Sequence, residues 1–539
     1  MQRIRNFYPI KVTGSAVRWA TSSITDDDAL LGSWREHPSV NPRLEFPTIL
    51  VPVESLTLLV PKLQPYLAKN SEIAKHVHPR IKMVKDHSDT HKLVLITNED
   101  KSGNGKGKGD IIDHLTDSLE LVPGTIQRGP MLDMNVSYSQ LSYQYILSQL
   151  LTPLRVPIPT SYEQIGHIAH FNLKPVHEPY GKLIADVLVE TNPTIETVVT
   201  KVGEVHGDFR TYDFDVLAGP EELETTLVEH GVKIQLHIGD CYWSNRLGGE
   251  RQLLIQDILN PSTVPSIAAA DKKEKKDRDD DQERELVVAD VFSGVGAVCL
   301  LLAKQAPETG KNVTILANDW NPKAIEYFEK SIQLNSGLDS GRFHLSQGDA
   351  YDFLMDLGSG GSGGGKVKKG KKKKKKGAPA GMPDHILMNF PLHGPTFLAA
   401  LRWWQWKNIQ QFHQMHNTYP RFHVYTFAKD DNASEAGSRD NQNEEEIALD
   451  IIADELLPAM NVHTDDGGDD DNDDDQDIDM EEDTDGDAPR RHRRREMDDA
   501  FGTQFSTRLV RDVAPGKVVV CVSFFLTPKL IRYMQGDYE

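Results

Sequence analysis

Four short motifs fall where an apolar run gives way to a polar one: Asp290-Val-Phe-Ser-Gly-Val-Gly296, Ala317-Asn-Asp-Trp-Asn-Pro322, Gln347-Gly-Asp349 and Met388-Asn-Phe-Pro391. Polar groups at successive strand ends, behind a glycine turn, are what a small ligand meets along the carboxyl edge of a sheet. In Ser293-Gly-Val-Gly296 the missing Cβ atoms let backbone approach that ligand closely. A dinucleotide fingerprint would need a third glycine in register, and Val298-Cys299 follows instead. Asp319 can accept from ribose hydroxyls and Asp349 from an exocyclic adenine amine. Carboxylates at two strand ends would repel a pyrophosphate but suit a cationic, phosphate-free nucleoside such as S-adenosyl-L-methionine. Asn389 and Pro391 at the fourth strand end fit a methyl donor. The competing structural readings make Asp319 the N-cap of the next helix and Asp349 a turn former.

Such motifs need a sheet to hold them. Strand patterns at 287–292, 313–317, 343–345, 385–390 and 422–427 alternate with helical patterns at 297–304, 323–335 and 397–415. This alternation predicts an α/β fold: a mostly parallel sheet with right-handed crossovers, spanning 286–539. A last apolar run, 517–526, is expected to close the sheet's edge. Ahead of it, 158–270 mixes a helix at 183–190 with strands at 197–202 and 232–238, predicting a smaller α+β domain. Residues 44–149 are β-rich, with runs at 48–53 and 92–97 around a Gly/Lys/Asn loop at 100–109. The densely charged stretch 271–285 reads as a linker.

A chain of 539 residues with net charge −21 is long enough for two or three domains. The charge is uneven. Residues 465–487 hold 15 acids and no base, whereas 366–376 hold 9 lysines and no acid. These tracts predict disordered inserts at 358–380 and 430–500, since doubling a loop adds only about 0.6 kcal/mol of closure entropy. Without them the chain is still acidic, so any RNA contact must rest on local basic patches. The Lys tract and 490–495 could gather RNA or direct nuclear import, though a solvated loop is the simpler reading. Cys241, Cys299 and Cys521 are far apart and read as reduced core thiols, with no metal required. No apolar run reaches the roughly 18 residues of a membrane span. Residues 1–25 carry Arg3, Arg5, Lys11 and Arg18 among serines and no acid, the composition of a mitochondrial transit peptide.

Two further segments are unusual: Phe209-Arg-Thr-Tyr-Asp-Phe-Asp-Val-Leu-Ala-Gly219 and Tyr242-Trp-Ser-Asn-Arg-Leu-Gly-Gly-Glu-Arg251. With Asn389-x-Pro391 and Leu509-Val-Arg-Asp-Val-Ala-Pro515, they make the chain resemble the tRNA (guanine-37-N1)-methyltransferases of the eukaryotic and archaeal type. The resemblance spans roughly 165–389 and resumes at 509–525. It implies a Rossmann-like class I methyltransferase domain, preceded by an α+β domain and an N-terminal RNA-binding domain at 44–149 that grips tRNA. The implied cofactor is S-adenosyl-L-methionine and the partner a tRNA with guanosine 37. The protein is expected to be a monomer distributed between mitochondrial matrix, cytoplasm and nucleus.

N1 of guanine carries a proton that must leave, and its loss sends negative charge toward O6, so a base and a cation are needed. By resemblance Glu250 is the base and Arg210 the cation, while Asn389 and Pro391 hold the base edge. An exposed glutamate, with a pKa near about 4.3, is a weak base, so this role calls for a desolvated site. Arg251 matches a position near the cofactor. The expected cofactor set is then Arg251, Asp290, Gly294, Gly296, Asp319, Trp320, Asp349, Ala350 and Asn389. The family's usual middle residue is Leu where this chain has Phe390, which adds bulk but removes no polar group. Structurally, Glu250 and Arg251 could be a solvated helix start and Arg210 a surface ion pair worth under about 1 kcal/mol. Arg246 could contact phosphate or brace its loop; His167 and His170 read as structural. The target guanosine is expected to flip out, at about a few kcal/mol. The rival readings are the aminocarboxypropyl transferase of wybutosine synthesis and a non-catalytic RNA-binding protein on the same scaffold.

Overall fold

The computed structural model describes residues 33–536 apart from 71–72, 78–80, 98–110, 123, 207–208, 210, 261–284, 360–381, 430–440, 458–504 and 515–516. The transit-peptide segment, Arg210, the linker up to residue 284, the 490–495 segment, and the Lys-rich and acidic tracts lie outside the described residues. The chain divides into two compact units, 1–203 with 213–222, and 204–212 with 223–539.

In the first unit, an antiparallel sheet of order Val84–Asp86, His91–Leu95, Thr48–Pro52 and Gln127–Arg128 packs against helix Leu56–Leu63. Ile49, Val51, Leu59, Leu63 and Val94 form its core, with Leu59 and Leu63 one helical turn apart. A second core joins Leu44, Phe46, Leu147 and Leu151 to Phe171, Leu183, Ile184 and Val198. Residues from the expected 44–149 and 158–270 domains therefore share one hydrophobic interior.

The second unit is built on a seven-stranded sheet. Its strands are β1 (Glu285–Asp290), β2 (Asn312–Asp319), β3 (Phe343–Gln347), β4 (His385–Met388), β5 (Arg421–Lys429), β6 (Phe505–Ala514) and β7 (Lys517–Phe525). The order is β3-β2-β1-β4-β5-β7-β6; the first five strands run parallel, and β7 is antiparallel to both its neighbours. Helices α1 (Gly248–Leu259), α2 (Ala297–Gln305), α3 (Pro322–Leu334), α4 (Ala350–Gly358), α5 (Trp406–His416), α6 (Asn441–Leu456) and α7 (Pro528–Met534) complete it. Val313 to Asn318 of β2 are all buried, because a parallel strand with both faces covered reads as a continuous apolar run. The hairpin of Glu224–Glu229 and Val232–His237 and the helix carrying Glu250 belong to this unit rather than to the first. The expected 158–270 domain is thus divided, because α1 packs on α2 of the sheet unit.

Two expectations are corrected. Residues 397–415 are not one helix: a 3-10 helix, Gly394–Trp403, precedes α5. The break is set by Trp404, whose backbone is extended and whose indole is buried, donating to Leu354 O at 2.9 Å. Nor does 517–526 close the sheet, since β6 lies outside it as the edge. With Arg508, Arg511 and Asp512, β6 lacks an apolar run; as an edge it has one neighbour, and charges there deter further pairing. Its register skips between Leu509 and Arg511, so Arg508 opposes Cys521 while Arg511 opposes Val519. Two positions apart on β7 means one face of the sheet, so the skip turns both arginines the same way.

Candidate active site

The carboxyl edge carries the polar groups the motifs promised. Asp319 ends β2 and is largely buried, which raises its pKa. Against that, Gly294 N–H donates to its Oδ2 at 2.8 Å and Asn321 N–H to its Oδ1 at 2.9 Å. Asp319 therefore ties the glycine turn to the next strand end, and Asn321 is the residue that caps α3. The cap role falls on Asp349 instead: its Oδ1 accepts from Tyr351 N–H and Asp352 N–H at the start of α4. Asp290 is buried at the end of β1, where Cys299 Sγ donates to Oδ2 at 3.4 Å and burial lifts its pKa to about 7. Ala350 is buried and Trp320 is 51 % exposed.

The two glycines of the turn differ. Both have positive φ, +53° at Gly294 and +81° at Gly296. A Cβ on Gly294 would meet nothing within 4 Å, which leaves open space over the turn, whereas one on Gly296 would stand 2.2 Å from the Phe328 ring. Gly296 thus permits α2 to pack on α3, and Gly294 faces the room a ligand needs. Beside that room, Ser293 Oγ is buried with no hydrogen-bond partner among the described residues. Asn389 is half-buried at the end of β4, and its amide makes no hydrogen bond among the described residues. An open turn, an orphaned hydroxyl, a free amide and two strand-end carboxylates fit S-adenosyl-L-methionine. Phe390, the bulky departure, packs among Phe292 (5.2 Å between centroids) and His393 (5.7 Å).

Glu250 sits in the first turn of α1 and is only 7 % exposed, so the desolvation its role requires is present. Its carboxylate is nevertheless engaged by two side chains. Tyr425 Oη donates to Oε1 at 2.6 Å, and Arg508 donates through Nη2 to Oε1 (2.5 Å) and Nε to Oε2 (3.3 Å). Burial pushes the Tyr425 hydroxyl well up, and the nearby Cys521 and Glu250 add to this. Burial is the largest influence on Arg508 and works against its charge, but the hydrogen bond to Glu250 together with the nearby Cys521, Glu250 and Tyr425 leaves its pKa raised. A Cβ on Gly394 would lie 3.7 Å from both Met388 O and Tyr425 O, so Tyr425 adjoins the Asn389–Pro391 turn. Glu250, Asn389 and Pro391 therefore belong to one unit, with the Tyr425 hydroxyl bonded to the first and the Tyr425 backbone bordering the turn that carries the other two.

The other candidates are placed as follows. Arg251 is buried and donates to Glu229 Oε1 through Nε at 2.7 Å. Its guanidinium lies 4.7 Å from the centroid of the Trp243 ring, with Nη2 on Ser244 O, so it braces the 242–246 loop. Arg246 is exposed. His170 is buried, with its pKa lowered to about 4 by burial and by Lys201, which suits a structural ring. Cys241, Cys299 and Cys521 are buried free thiols. Arg508 and Tyr425 are the residues that motif reasoning missed; 258 and 175 positions separate them from Glu250.

A second buried ion pair holds α1. Asp257, two turns after Glu250, accepts from Arg421 Nη1 at 2.7 Å. His423 lies beside it, bonded to Ser523 Oγ at 2.9 Å and stacked on His385, and burial keeps its pKa well below that of a free imidazole. Among the described residues no group of three or more His, Cys, Asp or Glu could hold a metal, and no helix is long and apolar enough to cross a membrane.

Similarity to known proteins bears on the fold and the family. Residues 143–222 match the family model described as the TYW2 N-terminal domain. The solved structure described as the complex of aTrm5 and tRNALeu covers 89 % of this chain and 100 % of its own, at 17 % identity and a TM-score of 0.50, a likeness of fold. The tRNA (guanine(37)-N(1))-methyltransferase 1 of Vitis vinifera is 38 % identical over 42 % of this chain and 31 % of its own length. The tRNA (guanine(37)-N(1))-methyltransferase 2 of Phaeodactylum tricornutum is 35 % identical over 92 % of this chain and 77 % of its own length. At that identity and coverage, the chain belongs to the tRNA (guanine(37)-N(1))-methyltransferase family.

Proposed function

We propose that this enzyme methylates N1 of guanosine 37 in tRNA with Glu250 as the base that takes the N1 proton. The observation that carries the residue-level reading is the desolvated Glu250 carboxylate, held by Tyr425 and Arg508 in the same unit as the Asn389–Pro391 turn. S-adenosyl-L-methionine, when bound, supplies an electrophilic methyl and keeps the C–S electron pair on its sulfur. Asp319, Asp349 and the open turn at Gly294 hold it at the carboxyl edge, with Ser293 Oγ as a further donor. Asn389 offers both a donor and an acceptor to the guanine edge.

Arg508 spans both oxygens of Glu250, but Oε2 accepts only its longer bond, at 3.3 Å. An incoming N1–H takes Oε2 and displaces the guanidinium from it. Tyr425, bonded to Oε1 only, can stay and fix the carboxylate's direction. The displaced Arg508 then remains next to the guanine edge where O6 gains negative charge, adding to the Arg210 role implied by resemblance. Residues 44–149 provide the grip on the body of the tRNA.

Glu250→Gln tests this. Single-turnover methylation of a guanosine-37 transcript should fall about 10²- to 10³-fold, with cofactor and tRNA affinities retained. A wild-type-like rate across pH removes Glu250 as the base. The match of residues 143–222 to the TYW2 N-terminal domain is the observation behind a second reading, aminocarboxypropyl transfer. Product mass separates the two: one methyl gained against the larger adduct.

A further inference from the structure

The face built by the 3-10 helix Gly394–Trp403, α5 and α7 has a composition unlike the rest of the molecule. In a chain of net charge −21, residues 385–429 contain no Asp or Glu, and neither do residues 513–536. These two stretches, distant in sequence, meet in the fold. α7 packs on α5 and on the 3-10 helix, and Gln535 Nε2 donates to Arg402 O (2.9 Å) and Trp404 O (2.8 Å).

The surface they make is cationic and aromatic. Arg402, Lys407 and Lys529 are exposed and Arg532 is half-buried. Lys407 Nζ lies 5.6 Å and Arg532 Cζ 5.7 Å from the centroid of the Trp406 ring, so two cations share one indole. Trp403 is 63 % exposed. Acid returns at the borders, with Asp352 and Asp356 on α4 and Glu455 on α6, which feels the charge of Arg402. One corner of the face touches the site: Trp403 Nε1 donates to Tyr351 Oη at 2.8 Å, and Tyr351 N–H donates to Asp349 Oδ1 at 2.7 Å.

We infer that this face binds the substrate tRNA, its cations taking backbone phosphates of the strand leading away from the target base and Trp403 stacking on an unpaired base. Exposed indole beside clustered Lys and Arg is the chemistry that recognises single-stranded RNA; phosphate wants the cations, and any base offers a stacking face. An acid-free surface is what a polyanion requires where global charge would repel it. The inference rests on the reading that the site acts on tRNA, and adds where the RNA runs beyond it.

The test uses the full chain with Arg402→Gln, Lys407→Gln and Lys529→Gln combined, and Trp403→Ala separately. Binding of tRNA transcripts carrying guanosine or adenosine at position 37 is measured across salt concentrations. The triple variant should bind both transcripts at least about tenfold more weakly, with the slope of log affinity against log salt reduced by about 2. Trp403→Ala should lose about tenfold with the slope unchanged. Cofactor affinity by calorimetry and rate at saturating tRNA should stay within about twofold of wild type. Wild-type affinity and slope in the triple variant overturn the inference, as does a loss of rate with affinity intact. Failure to discriminate guanosine from adenosine in the wild type counts against the site reading alone, since the variant-to-wild-type ratio judges the surface on either transcript.

Discussion

At the scale of single residues, the geometry around Glu250 turns on two donors. The Tyr425 hydroxyl fixes the direction of the carboxylate, so its loss leaves the base poorly aimed. In Tyr425→Phe the single-turnover rate should therefore fall about tenfold, with cofactor affinity unchanged. Arg508→Met should slow the plateau rate further, because on the proposed reading it removes the second cation near O6. A plateau unaltered in Arg508→Met would confine Arg508 to holding the helix. Removing one member of a buried pair costs about 3–5 kcal/mol, so melting temperature is measured alongside. None of this was legible in the motifs. Glu250 could be picked out because its neighbours form a recognisable run. Arg508 belongs to a strand whose skipped register hides the period-2 pattern that would reveal its direction.

At the scale of elements, the strand ends were the readable part. β1, β2 and β4 show themselves as largely apolar runs that stop at Asp290, Asp319 and Met388, as strands covered on both faces do, whereas β3, at the sheet's edge, is half-buried and carries His344 and Ser346 before Gln347. What the runs could not tell was which way each terminal carboxylate turns. Asp290 turns inward to Cys299, and its pKa of about 7 has a consequence for stability. The folded state holds this proton more tightly than the unfolded chain, whose aspartate titrates near 3.8. Its contribution is then fully present below about pH 4 and is lost as pH rises through about 7. Between pH 6 and pH 8 the melting temperature of the wild type should fall more than that of Asp290→Asn. Parallel curves for the two would contradict the buried, proton-holding carboxyl. The broken helix at 394–416 was illegible for another reason: Trp404 is apolar and fits a helical pattern, and only the pocket made by Gly358 shows that it is drawn out of line.

At the scale of the whole molecule, linker composition predicted boundaries that tertiary packing redrew. The charged 271–285 stretch looks like a domain border, yet α1 before it packs on α2 after it. Sequence distance misled here because apolar faces, not linkers, decide what folds together. The acid-free, Arg- and Ser-containing first 25 residues remain the basis for a proposed mitochondrial pool. Residues 1–43 fused to a fluorescent protein should direct it to mitochondria, and a purely diffuse signal would remove that destination. The two ion pairs along α1 carry a last consequence. Glu250 and Asp257 are seven residues apart, hence on one face of the helix, and each grips an arginine of the sheet, Arg508 on β6 and Arg421 on β5. On the proposed role of Glu250, only the first has to loosen for a guanine to enter. The helix would then be mounted like a door with one hinge and one latch, the latch released in each turnover while the hinge keeps the base aimed.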